Sequence, residues 1–184
     1  QINGTSGYEE AGCQGMMAGV NAALKVRGDK PFVLKRYDGY TGVLIDDLVT
    51  KGTQEPYRMF TSRAEYRLLF NHGSAELRML EYAKSFGLLS ESRIAKIEDK
   101  KRGVEEAVKW MESNRRGEQT WATLVRRNDG ELELPENIGG LSEPVLTEAL
   151  YRVRYDGYLK REMKQVQKLN SVESILVPRE FDFL

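Results

Sequence analysis

The sequence predicts a mainly α-helical chain with a small mixed α+β segment near its N-terminus. Three observations carry that reading. Ile94, Ile97, Val104, Val108 and Met111 recur at the three- and four-residue steps of one helix face. A run of small and apolar residues from Ala11 to Leu24 follows a Gly-rich start. Charged residues make up 30% of the chain beside a moderate aliphatic content, a composition suited to exposed helices.

In the first segment, residues 1–27, Thr5 or Ser6 is the expected N-cap, and Glu9 and Glu10 place carboxylates at the positive helix end. Ala11, Gly12, Gly15, Ala18, Gly19 and Ala22 form a small face that lets a neighbour approach closely, and Gly28-Asp29-Lys30-Pro31 ends the helix. Residues 28–80 form a second, irregular segment. There Val43 to Val49 suits a short helix or a buried strand, Tyr66 to Phe70 is a candidate strand, and Asn71-His72-Gly73-Ser74 reads as a turn. A helix lined by Ala75, Leu77, Leu80, Tyr82 and Ala83 follows and ends near Gly87. Within the helical segment 81–184, Ser90 is the expected N-cap of a long helix whose basic end is Arg115-Arg116-Gly117, with Lys101 interrupting its apolar stripe. Trp121, Leu124 and Val125 make a short helix, 128–140 a loop, and Pro144–Val153 and Tyr158–Leu169 two further helices. No internal repeat or low-complexity tract is present.

A chain of 184 residues buries one core, or one core and a small appendage. Its 28 basic and 28 acidic residues leave no whole-chain field, which argues against a strongly basic module but leaves local patches open. No apolar run has the length of a membrane span, and no basic-then-apolar leader opens the sequence. Cys13 is alone, so a disulfide within the chain is excluded and a reducing cytoplasm is the expected compartment. Gln1 at one end and the apolar Phe181-Asp182-Phe183-Leu184 at the other are read as cuts in a longer protein.

Two constellations can carry chemistry. Gly4-x-x-Gly7 opening a helix offers free backbone N–H groups to a phosphate or to the electron-rich edge of a flavin, although for so short a motif ordinary helix-start packing is the default explanation. In the block from Tyr57 to Arg67, Arg58, Arg63 and Arg67 alternate with Tyr57, Phe60 and Tyr66. Guanidinium groups fork onto phosphates and rings stack on splayed bases, as single-stranded RNA loops require. The same block could instead be an arginine network paired with Asp46, Asp47, Glu55 and Glu65. A third basic run, Arg152, Arg154, Lys160, Arg161, Lys164 and Lys168, is by default a solvated helix face. His72 in a turn and Cys13 in the small-residue helix suggest neither metal nor nucleophile, and Asp46-Asp47 lacks a second ligand cluster. No catalytic residue and no metal set is assigned.

The residues from Gln1 to Ala11, Gly42 to Leu48 and Glu55 to Leu68, with Val153-Arg154-Tyr155-Asp156-Gly157-Tyr158, closely resemble the GidA/MnmG family, the tRNA uridine 5-carboxymethylaminomethyl modification enzymes. The likeness is strong over 1–80, weaker over 81–150, and returns near 151–178. It implies the remnant of an FAD-binding domain leading into a C-terminal helical domain, incomplete at its C-terminus. It further implies an FAD enzyme using NADH and methylene-tetrahydrofolate to place a carboxymethylaminomethyl group on C5 of the wobble uridine. Its implied partners are tRNA, a GTPase of the MnmE/TrmE family and a second copy of the full-length protein. Carried over, Gln1, Gly4, Gly7, Tyr8 and Glu9 are flavin-side residues, Arg58 and Arg67 match tRNA-binding positions, and Arg63 is added on physical grounds.

Departures limit the transfer. Gly12-Cys13 stands where the family has two alanines, so Cys13 inherits no cysteine role. No Gly-x-Gly-x-x-Gly fingerprint for the FAD pyrophosphate is present, and no NADH region, so this segment alone is not expected to retain FAD. The segment associated with docking the GTPase would begin near or beyond Leu184. Two alternatives stay open: a folate-dependent tRNA uridine methyltransferase, against which the Tyr57–Leu68 block speaks, and a non-catalytic RNA-binding or assembly module.

Overall fold

The computed structural model describes residues 4–128, 132–173 and 175. Helix α1 spans Tyr8–Arg27. Its N-cap is Gly7 in extended conformation rather than Thr5 or Ser6, whose side chains bond elsewhere. Gly28, at φ 76°, closes the helix, and the Gly28 and Asp29 N–H groups return to the carbonyls of Lys25 and Leu24. Met17 and Leu24 are buried against Phe32 and Leu34, with Ile45, Met79, Tyr82 and Phe86 around them. Asn21 pins this contact, donating to the carbonyls of Met17 and Phe32 while accepting the Phe32 N–H at 2.8 Å. The small-residue face has no neighbour of this kind: positions 12, 15 and 19 look into open space.

Helix α2, Tyr40–Thr50, resolves the ambiguity of the Val43–Val49 run in favour of a helix. It lies so close to the preceding segment that a Cβ on Gly42 would sit 2.0 Å from the Lys35 carbonyl oxygen. Val43 joins Ala64 and Phe70 in a second cluster with Tyr40, Met59, Tyr66 and Leu69. The expected strand over Tyr66–Phe70 is instead a 3-10 turn, Arg67–Phe70. No strand edge runs beside it: the Leu69 N–H turns back to the Tyr66 carbonyl and also meets the Glu162 carboxylate. A second 3-10 turn, His72–Ser74, leads into α3, Ala75–Ser85.

Helix α4, Glu91–Ser113, begins at Ser90, whose hydroxyl accepts the Arg93 N–H. Where Lys101 interrupts the apolar stripe, the adjacent Lys100 reaches out to the Gly73 carbonyl and Glu76. The helix stops before Arg115-Arg116, which form strand β1 and pair with β2, Gln119–Thr120, across Gly117 at φ 65°. The hairpin wins because Gly117 takes a left-handed turn that a continuing helix forbids. Helix α5, Trp121–Arg127, is capped by Thr120, and the expected loop over 128–140 contains a short helix α6, Glu136–Gly139.

The two helices expected after Pro144 are one, α7, running 31 residues from Glu143 to Glu173 through Gly157. A glycine in a helix interior costs about 1 kcal/mol, less than the packing on either side contributes. Before Gly157, Ala149 and Val153 sit in the main core with Val104, Ala107, Met111, Ala122, Val125 and Ile138. There Tyr151 Oη also donates to the Leu68 carbonyl at 2.7 Å and buried Glu148 accepts from Asn71 and Arg152; beyond Gly157, Val166 is buried, Glu162 accepts the Leu69 N–H and Asn170 accepts from the Tyr37 hydroxyl.

Met111 is fully buried in that core. Met111→Ala is expected to lower unfolding stability by about 2–5 kcal/mol. Val172→Ala, at a position 54% exposed, should stay within about 0.5 kcal/mol. Urea denaturation followed by circular dichroism measures both.

Candidate nucleic-acid interface

The two constellations separated by some fifty residues in sequence are stitched together. Thr5 and Tyr57 form an isolated parallel bridge. The Tyr57 N–H donates to the Gly4 carbonyl at 2.6 Å, and the Ser6 N–H to the Tyr57 carbonyl at 2.9 Å. Gly4 takes φ 90°, and the space its Cβ would need is filled by the Thr53 hydroxyl. At Gly7 a Cβ would lie 1.7 Å from Glu10 Oε2 and 2.9 Å from Arg58 Nη1. The glycines therefore serve close internal packing at the start of α1. Around them Tyr8 is 87% exposed and Glu9 is exposed. Gln1 lies outside the described residues.

Glu10, by contrast, is buried. Its Oε1 accepts the Met59 N–H at 3.0 Å and lies 3.8 Å from Arg58 Nε. The Met59 N–H and its own backbone N–H hold this carboxyl below the usual carboxylate range against the effect of burial, with Arg58 adding to the same direction.

A second charge centre lies beneath the arginine block. Asp47, 2% exposed, accepts from Arg36 and Lys51 at 2.7 Å each and from the Tyr57 hydroxyl at 2.8 Å. Burial pushes the Asp47 carboxyl up, but these three hydrogen bonds outweigh it and hold it below the ordinary value. Burial and the same carboxylate push the Tyr57 phenol up, so it remains a neutral donor. Arg36 also pairs with Asp46 at 2.8 Å and Glu65 at 2.7 Å, and it donates to the Arg63 carbonyl.

Three of the four acids offered as partners of the block, Asp46, Asp47 and Glu65, thus belong to Arg36, a residue that no motif or spacing singled out. Arg58 is half exposed beside Glu10. Arg63 is exposed, stacks 4.3 Å above the Tyr57 ring, and donates from Nε to the Arg58 carbonyl at 2.9 Å. Arg67 is exposed and has no partner among the described residues. The rings divide differently from the sequence expectation. Tyr57 is buried and Tyr66 is packed in the α2 cluster, so Phe60, 57% exposed, is the ring of the block open to a base.

The third basic run does not extend this surface directly. Tyr151 and Glu162 face the 68–69 turn, whereas Lys160 and Lys164 stand about 200° around α7 from Glu162 at 100° per residue. Arg152 is paired with Glu148 and Lys160 with Asp156. Cys13 is half-buried, its sulfur accepting from the Thr41 hydroxyl, and His72 is exposed. Among the described residues no group of His, Cys, Asp and Glu could hold a metal, and no helix is long and apolar enough to cross a membrane.

With this geometry in hand, the chain can be set beside known proteins. The family described as Glucose inhibited division protein A matches residues 1–30. The protein named tRNA uridine 5-carboxymethylaminomethyl modification enzyme MnmG from Christiangramia forsetii is 41% identical over the whole of this chain, which covers 34% of it. Its namesake from Protochlamydia amoebophila is 43% identical, again over the whole chain and over 31% of its own length. A solved structure of Aquifex aeolicus GidA superposes with a TM-score of 0.83 at 37% identity, over 98% of this chain and 31% of that one. The chain spans about a third of the length of the curated relatives it matches.

Asp47→Asn leaves Arg36 without its most buried partner and is expected to cost about 3 kcal/mol in urea denaturation. The folded carboxyl lies below its unfolded value, so its stabilisation is complete above about pH 4 and disappears as pH falls through the depressed value. Stability should therefore drop on acidification below about pH 4, and the Asp47→Asn variant should show a shallower acid limb.

Proposed function

The chain belongs to the GidA/MnmG family, and on that premise we propose that it supplies the tRNA-gripping surface and one wall of the flavin site of an FAD-dependent tRNA-modifying enzyme. The observation that carries the proposal is that Arg36 binds Asp46, Asp47 and Glu65, which leaves Arg63 and Arg67 with no carboxylate partner among the described residues and Arg58 with Glu10 alone. Three outward guanidinium groups beside the exposed Phe60 ring form a patch for phosphates with one platform for a base.

The helix start fits a flavin edge. Gly7 carries no side-chain cap; the Glu10 N–H turns to its own carboxyl, which leaves the Tyr8 and Glu9 N–H groups at the start of α1 to meet a ligand beside their exposed side chains. Tyr8 and Glu9, with the backbone of Gly7 and with Gln1, would hold the ring, while Gly4 shapes the approach. Bound there, FAD would supply redox chemistry to a reaction that uses NADH and a methylene-tetrahydrofolate carbon. In the full-length protein the product is a carboxymethylaminomethyl group on C5 of the wobble uridine. Its partners are a GTPase of the MnmE/TrmE family and a second copy of itself, in the cytoplasm.

Filter binding of tRNA across a salt series tests the surface. Log affinity should fall linearly with log salt, and Arg58→Ala or Arg67→Ala should each weaken binding and flatten that slope by about one. Phe60→Ala should cost about 1–3 kcal/mol with the slope unchanged. Wild-type affinity in all three variants rejects the proposal. In the full-length protein the arginine variants should retain their flavin, whereas this chain alone should purify colourless; a flavin spectrum from it would contradict the assignment of the pyrophosphate grip to other residues.

A further inference from the structure

Glu10 is assigned to neither surface, yet it touches both. Its carboxylate lies against Gly7 at the N-cap of α1, accepts the Met59 N–H and faces Arg58 Nε at 3.8 Å. Arg58 Nη1 in turn would lie 2.9 Å from a Cβ on Gly7. The guanidinium therefore rests across the helix tip, with Glu10 as its one carboxylate within 4.0 Å among the described residues. From the other side, Arg63 Nε holds the Arg58 carbonyl.

We infer that Glu10 is a positioning residue, which holds Arg58 across the tip of α1 so that its outer edge meets an RNA phosphate beside the proposed flavin cap. A free arginine side chain samples many rotamers, which binding a phosphate would have to restrict. A fixed, ionised partner removes part of that cost before RNA arrives. Backbone donors secure the Glu10 carboxylate, so it stays in place when the outer edge of Arg58 engages a phosphate. Solvent weakens such a pair as a source of stability, because Arg58 is 54% exposed. Its value lies in geometry, since Gly7 leaves room for both groups and any larger residue would displace them.

The inference rests on the tRNA-binding reading above, and a double-mutant cycle in the full-length protein separates the two. Glu10→Gln keeps an acceptor for the Met59 N–H and removes the charge. It should weaken tRNA binding by about fivefold and flatten the salt slope by about one, with flavin content and thermal midpoint close to wild type. Added to Arg58→Ala, it should weaken binding no further. Gly7→Ala, which keeps the charge but pushes the carboxylate and guanidinium aside, should reproduce the loss of slope and covers the case of a poorly folded Glu10→Gln. Unchanged or tighter binding by both Glu10→Gln and Gly7→Ala overturns the positioning role alone, as does an additive double variant. An Arg58→Ala protein that binds as wild type removes Arg58 from the tRNA surface and the positioning role with it; the tRNA-binding reading itself falls only if Arg67→Ala and Phe60→Ala also bind as wild type.

Discussion

A carboxylate removed from water must find donors for its oxygens, and Asp47 finds three in one small volume. That requirement organises the N-terminal half of the molecule. Arg36 is drawn in from the segment before α2, Lys51 from the end of α2, and the Tyr57 hydroxyl from the start of the arginine block. Arg36, once seated, also collects Asp46 and Glu65. Internal pairing therefore consumes Asp46, Asp47 and Glu65 and leaves the arginines of the block exposed, Arg58 beside Glu10. The cost of burying one charge is offset by bonds that also fix which cations remain available to a ligand.

Tyr57 passes this order on to α1. Its hydroxyl is tied to Asp47 and its backbone forms both bonds of the bridge to residues 4–6. The start of α1 is thus set by the same network that sets the arginine block. Glu10 reinforces the joint one helical turn later through the Met59 N–H. Gly7 takes its meaning from this arrangement: the volume a side chain would occupy is already filled by a carboxylate and a guanidinium. A glycine that looked like room for a ligand is, in this chain, also room for its own charged residues.

The helices were legible in the sequence where periodicity, caps and stops agreed, as at Ser90 for α4 and at Gly28 for α1. They were misread where tertiary packing overrode a local signal. Gly157 suggests a break, yet α7 continues because Val153 and Val166 are buried on either side of it. Arg115-Arg116 suits a helix end by charge, but Gly117 turns the pair into a hairpin. The Tyr66–Phe70 run was a candidate strand, but it folds as a 3-10 turn. The candidate site was legible in its residue types and its likeness to a family, through Arg58, Arg63, Arg67, Gly4 and Gly7. Its wiring was not. Arg36 lies outside every motif, and only the folded chain places it between Asp46, Asp47 and Glu65. Likewise, nothing in sequence spacing distinguishes buried Tyr57 from exposed Phe60.

The balanced net charge is distributed unevenly by this wiring. Acids across the molecule are matched locally: Glu76 with Arg93 and Lys100, Glu98 with Lys84, Glu112 with Arg126, Glu148 with Arg152, and Asp156 with Lys160. Much of the chain is thereby neutral at short range, and fields beyond about 10 Å are screened at moderate salt. What a polyanion meets on approach is the local remainder. Between residues 58 and 67 that remainder is positive, because Arg36 has already taken the acids and Glu10 offsets Arg58 only in part. A whole-chain charge of zero is therefore compatible with a nucleic-acid surface, provided the pairing is uneven in space, and here the unevenness originates at a single buried aspartate.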